Sequence, residues 1–504
     1  MDQKLYMPEI LDRIFAYFGP VHPLFSPAPG TLASLARTCR TFQDSALNAL
    51  WAAQTSLLPA LGCFPDDLWE PSTDPEKLSF VEFRRPLVPA DWERPLFYWD
   101  RIKSFEISSF DPNRSSPAVL ETLRICCPTS HLFPNLRKIA WLDAERTHSP
   151  LLAVFLSPRV YSIVLYPGES LMQLSGARHG PLFLATLLDL LSSLERLESL
   201  HIRSADAAIF DHISARASFK SFIVNEPWEL DFMADHDSVP RLTALEVLSL
   251  WSTTQDACTT IVGSVAHRGL REINLRFESV FPDAQATHRL YSAIDPNGSY
   301  HTLTTLHIED EAINSGAQIP PDDEFDSYIV RGETLTILFL FTNLTHINLE
   351  PFHGFDLDDA LVARMACSWS RVEELKLAFS MDWHIDGEVR PARTTLVGIH
   401  AIAKHSLNLR TLKLYFDATT IPVIERMAIQ TNPRHFYVFC SPITSPTAVA
   451  EFLSNVFPRL SFLHPSCCDD FDNRPQGSAM RHWKRVEKII GDRDKLVKDR
   501  LGAA

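Results

Sequence analysis

A short pattern of hydrophobic positions recurs through most of this chain. An apolar residue is followed by two others, a second apolar residue, one other and a third apolar residue, as in Leu197–Ile202 and Leu245–Leu250. Because side chains alternate between the two sides of a strand, this spacing predicts short strands with one buried face. Further copies begin at Leu136, Val160, Phe219, Leu270, Leu303, Leu344, Val372 and Leu409, and weaker copies surround Phe436 and Leu463.

Stretches with helical spacing of apolar residues lie between these copies. The predicted helices are 181–191, 257–267, 360–369, 396–405 and 447–456. A unit of one strand and one helix has too little apolar surface to fold alone, so the units are expected to stack into a continuous core.

The alternation of strand and helix resembles the leucine-rich-repeat family. The resemblance implies an irregular α/β solenoid, a horseshoe whose strands line the concave face. The units are unequal in length, and the asparagine typical of that family is mostly missing. Protruding loops are therefore expected at 168–180, 283–300, 313–326 and 380–393. An ordinary doubly wound α/β domain is the alternative.

Apolar residues at helical spacing also mark the beginning of the chain. Ile10, Leu11, Ile14 and Phe15 follow Pro8, which suits a first helical turn because the missing N–H costs nothing there. Two further short helices are predicted, one after Thr31 and one that ends near Trp51.

The order of residues in these helices resembles the F-box family. Met7-Pro8-Glu9-Ile10-Leu11, Ile14-Phe15, Leu35-Ala36, Cys39-Arg40-Thr41-Phe42 and Leu50-Trp51 follow the family pattern, with Met7 at the usual leucine and a long, proline-rich first loop. The resemblance implies docking to the adaptor subunit of SCF-type, cullin-based ubiquitin ligases. The adaptor-binding residues that it implies are Pro8, Ile10, Leu11, Ile14, Phe15, Leu35, Leu50 and Trp51.

Four segments follow from these patterns. They are an F-box at 1–55, a connector rich in proline and aromatic residues at 56–100, the leucine-rich-repeat-like solenoid at 101–475, and a C-terminal helix at 476–504. The last helix has an apolar stripe and is expected to cap the open end of the core.

Net charge, the length of apolar stretches and the cysteine pattern limit the partners and the compartment that the sequence suits. The 504 residues carry a formal net charge of -15, which argues against nucleic acid as the main partner because phosphate contacts need clustered cations. No stretch has the roughly eighteen uncharged apolar residues that a membrane span needs, and no signal peptide is evident. The nine cysteines form no Cys-x-x-Cys motif, so a reduced cytoplasmic or nuclear protein is expected.

The sequence carries none of the common catalytic motifs. The sequence contains no phosphate-binding glycine loop, no His-Glu-x-x-His and no nucleophile elbow. We therefore expect no catalytic residues, no metal and no cofactor.

These features predict a substrate-recognition subunit of an SCF-type ubiquitin ligase. Its partners would be the adaptor, through it a cullin, and an unknown protein substrate. A scaffold that binds the adaptor without delivering a substrate is the alternative, and an enzyme with its active site on solenoid loops is a third.

The candidate substrate surface consists of strand residues that point away from the core. Trp251 and Arg276 stand out because tryptophan and arginine often anchor interfaces. The complete set is His201, Arg203, Trp251, Asn274, Arg276, His307, Glu309, Asn348, Glu350, Lys376, Lys413 and Tyr415.

Overall fold

A computed structural model describes most of the chain. The described residues are 7–18, 29–69, 83–108, 117–142, 152–165, 181–228, 242–252, 254–265, 267–278, 281–294, 300–310, 326–351, 353–378, 392–439, 441–465 and 477–502. They fall into two compact units, residues 1–222 and 223–504.

Unit 1 begins with helices and continues with alternating strands and helices. The helices are α1 (Pro8–Ala16), α2 (Pro29–Thr38), α3 (Arg40–Trp51), α4 (Leu58–Leu61), α5 (Glu93–Trp99), α6 (Pro117–Cys126), α7 (Pro181–Ser192) and α8 (Ala207–Ser214). The strands are β1 (Ala53–Gln54), β2 (Ser104–Ser108), β3 (Lys138–Leu142), β4 (Ser162–Leu165) and β5 (Ser199–Ile202), and β6 (Ser221–Trp228) begins here.

The three N-terminal helices form a small core of their own. Leu11 and Phe15 of α1 pack with Leu32 of α2 and Ala46 of α3, and all four side chains are buried. Phe42 meets the ring of Phe15 edge-on, with ring centroids 5.6 Å apart. The apolar stripe predicted for α1 is therefore divided between this core and the outer surface.

The segment after α3 is held by aromatic side chains. The buried ring of Phe64 lies 5.2 Å from Trp92 and 5.7 Å from Trp99 between centroids. The Trp99 indole N–H donates to the carbonyl oxygen of Ala60. Within the described residues 56–69 and 83–100, the connector therefore packs through its aromatic side chains.

Unit 1 contains a parallel ladder in which each strand pairs with the next one along the chain. The order is β1-β2-β3-β4-β5. Ile139, Ile163 and Leu200 face one another across three strands and are buried.

Unit 2 repeats the same arrangement over a longer stretch. Its ladder contains β7 (Val247–Ser252), β8 (Glu272–Phe277), β9 (Thr305–Asp310), β11 (His346–Glu350), β13 (Glu374–Leu377), β14 (Thr411–Leu414), β15 (His435–Tyr437) and β16 (Phe462–His464), in that order, and a separate pair contains β10 (Val330–Arg331) and β12 (Phe355–Asp356). The helices are α9 (Gln255–Ser264), α10 (Ala284–Ala293), α11 (Gly332–Thr336), α12 (Asp359–Ser368), α13 (Leu396–His405), α14 (Pro446–Val456) and α15 (Gly477–Gly502).

The core of unit 2 is built from two rows of apolar side chains in register. One row runs Leu248, Ile273, Leu306, Ile347, Leu375, Leu412, Phe436 and Leu463, and all eight are buried. The second row begins with Leu250 and Leu275. Every copy of the apolar pattern identified in the sequence coincides with one of these strands or with β3–β6, so the strand predictions are confirmed.

The α/β class with a parallel sheet is confirmed. The outcome differs for the doubly wound alternative and for the predicted loops. The strand order does not reverse within either unit, unlike that of a doubly wound domain. The loop expected at 283–300 is wrong, because Asp283 caps α10 by accepting from the Ala286 N–H at 2.6 Å. The loop expected at 168–180 lies outside the described residues, as do nearly all of 313–326 and 380–393.

The strands of neither unit curl into the predicted horseshoe. Curling requires an outer layer wider than the strand layer at every step, since helices pack about 8–10 Å apart and strands about 4.8 Å apart. The connection from β14 to β15 contains no helix, so the wider spacing is not kept at this step of unit 2. The strands have one side with the buried apolar rows and one side that is polar and half-exposed. We call the second side the open face.

The C-terminal helix packs on the end of unit 2. Trp483, Val486 and Ile490 of α15 are buried, and the Trp483 indole N–H donates to the Ser441 carbonyl oxygen at 2.7 Å. The Trp483 ring also lies 5.8 Å from that of Phe416. The part of the predicted apolar stripe from Trp483 to Ile490 is therefore turned towards the protein.

Replacing Leu248 with alanine should reduce the free energy of unfolding by about 2–5 kcal/mol, because the side chain is fully buried between neighbouring strands. Urea denaturation measures this loss. Ser249→Ala, one residue along on the open face, is the matched control and should change stability by about 0.5 kcal/mol or less. Rapid amide exchange throughout β7 in the wild type would contradict the packing described here.

Candidate functional site

The outer side of α1 is an exposed apolar surface. Met7 is 49 % exposed, Ile14 is 40 % exposed, and Tyr17, just after the helix, is 83 % exposed. Pro8 is also exposed, and Ile10 is half-buried. Exposed apolar residues that share one side of a short helix are typical of a surface that binds a partner.

The predicted adaptor residues divide into exposed and internal groups. Ile10 and Ile14 lie on the outer side of α1 and Pro8 is exposed at its first turn, whereas Leu11 and Phe15 belong to the three-helix core. Leu35 and Leu50 are partly buried against that core. Leu11 and Phe15 can therefore support α1 from within, but they are not on the outer surface of this chain.

Trp51 joins the helical core to the segment that follows. Its ring stacks on Tyr98 with centroids 4.8 Å apart. The Arg101 guanidinium donates to Asn48 and, at 2.9 Å, to Asp44 of α3. The Ala52 carbonyl oxygen accepts from the N–H groups of Lys103 and Ser104, so α3 passes directly into the β1–β2 ladder.

The open face of unit 2 brings most of the predicted substrate residues together. Asn274, His307, Asn348, Lys376 and Lys413 are register partners on five successive strands. A second row contains Trp251, Arg276, Glu309 and Glu350. His201 lies on β5 of unit 1 and Arg203 follows that strand, while Tyr415 follows β14.

Ion pairs and hydrogen bonds connect these side chains. The Arg276 guanidinium lies 5.9 Å from the centroid of the Trp251 ring, and its Nε is 3.6 Å from Glu309 Oε2. His307 Nε2 is 3.0 Å from the same oxygen. The hydrogen bond with His307 lowers the pKa of Glu309, with smaller contributions from Arg276 and Lys413.

The remaining cations of the face are also paired. Lys413 Nζ lies 2.8 Å from Glu350 Oε1, across the intervening strand β13, and Lys376 Nζ lies 2.6 Å from Glu374 Oε1. The centre of the face is thus a network of compensated charges. Such a network holds the side chains in place and offers polar contacts to a partner.

Two of the predicted substrate residues, Arg203 and Tyr415, follow the ends of their strands and are affected by burial. Burial raises the pKa of the Tyr415 hydroxyl and lowers the pKa of the Arg203 guanidinium. Both side chains are half-buried, as is Trp251, whereas Arg276 is exposed.

The prediction of the open face omitted its last strands. His435 and Tyr437 of β15 and Phe462 and His464 of β16 occupy equivalent positions beyond Lys413. The apolar pattern around Phe436 and Leu463 was the available signal, because the residues that flank these buried positions must point to the opposite side.

Two further observations concern the described residues only. No group of three or more histidine, cysteine, aspartate or glutamate side chains there is placed to hold a metal ion. None of the described helices combines the length and apolarity required to cross a membrane.

Comparison with known proteins adds no family assignment. No known family profile matches this chain, and no curated protein sequence matches it significantly.

The hydrogen bond between His307 and Glu309 should make stability depend on pH. Because the folded-state pKa of Glu309 lies below its ordinary value of 4.5, the carboxylate stabilises the folded state above pH 4.5 and loses this effect below it. The difference in urea midpoint between wild type and Glu309→Gln should therefore shrink as the pH falls below 4.5.

The same comparison in a His307→Ala background is the control, since it removes the largest cause of the shift. There the dependence on pH should be smaller. A difference equally large at all pH values in the wild-type background would contradict the role given to this carboxylate.

Proposed function

We propose that this chain is a substrate-recognition subunit of an SCF-type ubiquitin ligase. The N-terminal helices would act as the F-box that docks the adaptor and through it a cullin, and the leucine-rich-repeat-like strands would bind the protein substrate. The observation that carries the proposal is the exposed apolar side of α1, supported from within by Leu11 and Phe15.

The order of the helices supports this assignment. Helices α1, α2 and α3 coincide with the three segments that resemble the F-box, and Pro8 occupies the first turn of α1. Burial of Met7, Ile14 and Tyr17 against a partner would stabilise the complex by about 1.5–3 kcal/mol for each large side chain.

The connection from α3 into the sheet of unit 1 also suits a receptor. Arg101, the Trp51–Tyr98 stack and the two hydrogen bonds to the Ala52 carbonyl oxygen join the helical core directly to β2. A receptor of this kind works by raising the local concentration of its substrate near the ubiquitin-charged enzyme. The proposal places the protein in the cytoplasm, the nucleus or both.

Replacing Met7 and Ile14 together by aspartate should abolish co-purification of the adaptor, because two charges would enter an apolar interface. Position 7 precedes the first turn of α1, where aspartate is a favourable cap, so folding should persist. Leu11→Asp would be uninformative, since it would disrupt the three-helix core.

Ile125→Asp is the matched control. Ile125 is 69 % exposed near the end of α6 in the same unit, and its replacement should leave adaptor binding and the melting temperature unchanged. Adaptor binding by the Met7→Asp, Ile14→Asp protein at wild-type affinity would reject the F-box assignment.

Replacing Trp251 and Arg276 together by alanine should weaken substrate ubiquitination by a reconstituted ligase and leave adaptor binding intact. The two side chains are neighbours on β7 and β8, and residues of these types often anchor interfaces. Arg271→Ala, at the start of β8, is the control. Binding of partners without ubiquitination by the wild-type complex would favour a scaffold instead.

A further inference from the structure

The open face of unit 2 changes in charge along its length. The four ladder strands β8, β9, β11 and β13 each carry one glutamate on this face: Glu272, Glu309, Glu350 and Glu374. The last three strands carry none at the corresponding positions, which are Thr411, Lys413, His435, Tyr437, Phe462 and His464. The face therefore ends in a region without carboxylates of its own strands.

Aromatic rings cover this end of the face. The His435 and Phe462 rings stack with centroids 4.8 Å apart and an angle of 7° between their planes. Tyr437 and His464 stack at 4.4 Å and 15°. Phe462 lies on the last strand of the ladder and is 53 % exposed, so its outer side is open to a further planar group.

The two histidines form a unit that can accommodate an anion. His435 Nδ1 and His464 Nε2 lie 3.4 Å apart, and the planes of the two rings are nearly parallel, at 8°. This arrangement places one N–H between two ring nitrogens. In the neutral pair, the ring that accepts this bond carries its own N–H on the other ring nitrogen, from which it can donate to an anionic oxygen.

Cations border the same region. Arg434 immediately precedes β15 and is exposed, and within the described residues its guanidinium donates only to the Arg459 carbonyl oxygen, at 3.4 Å. Helix α15, which packs on β16, carries exposed Lys484 and Lys488 on either side of Glu487. Glu487 is the one carboxylate of α15 that acts on His464.

We propose that β14–β16 bind an acidic peptide segment that contains an aromatic residue. Acidic side chains would meet Arg434 and the histidine pair, and an aromatic side chain would stack on Phe462. The inference rests on the proposed function, since such a segment would belong to the protein substrate. It goes beyond it by stating the chemistry of that substrate and the strands that bind it.

Direct binding to the full-length protein tests the proposal without the adaptor. The probe is a short fluorescein-labelled peptide of aspartate and glutamate with one central tyrosine, measured by fluorescence anisotropy. We expect saturable binding, and binding about tenfold weaker for Arg434→Glu and for Phe462→Ala. A peptide in which asparagine and glutamine replace the acids should bind at least tenfold more weakly, about 1.4 kcal/mol.

Two matched variants control for general effects. Arg271→Glu reverses a charge at the equivalent position before β8, and Phe97→Ala removes a ring that is 50 % exposed in unit 1. Both should bind the acidic peptide like wild type. Melting temperatures of all four variants check that each remains folded.

Three results would overturn the proposal. They are no saturable binding by wild type, equal loss of binding in the Arg271→Glu control, and stronger binding of a single-stranded oligonucleotide than of the peptide. The last would indicate a nucleic acid partner. None of these results bears on adaptor docking, which the Met7 and Ile14 substitutions test separately.

Discussion

The structure of both units depends on rows of buried side chains held in register across parallel strands. In unit 2 one row extends from Leu248 to Leu463, and each member lies opposite its counterpart on the next strand. A shift of one residue would turn these side chains to the opposite side and bury the polar ones. The same packing therefore fixes which residues form the open face, from Trp251 to His464.

Helix caps set the position of the outer layer relative to these strands. Asp358 caps its own helix, α12, by accepting from the Leu361 N–H, whereas Asp359 accepts from the N–H groups of Thr395 and Gly398 at the start of α13. A Cβ at Gly398 would lie 2.7 Å from Asp359 Oδ1, so only glycine allows this approach. The Asp359 carboxylate thus joins two successive strand–helix repeats within unit 2.

The sequence pattern predicted the strands well because each strand needs only a local alternation of buried and open positions. Strand β2 was missed although Ile102 and Phe105 repeat the same spacing and are buried. The unequal spacing of the strand pattern predicts a loop where α10 lies, but Asp283 caps a helix there. Local patterns do not determine the features that depend on residues far apart in the chain. These features are the register between strands, the curling of the sheet and the ion pairs of the open face.

The division of the open face follows from the same register. The ladder strands β8, β9, β11 and β13 each supply a glutamate to the open face. Arg276, Lys376 and Lys413 each form an ion pair with one of these glutamates. A partner that needs one of these cations must separate an existing pair, and this cost offsets much of the gain. Beyond β14 the strands supply rings and histidines, and Arg434 meets no carboxylate within the described residues. An anionic group therefore gains most at this end, where no internal ion pair has to be broken first.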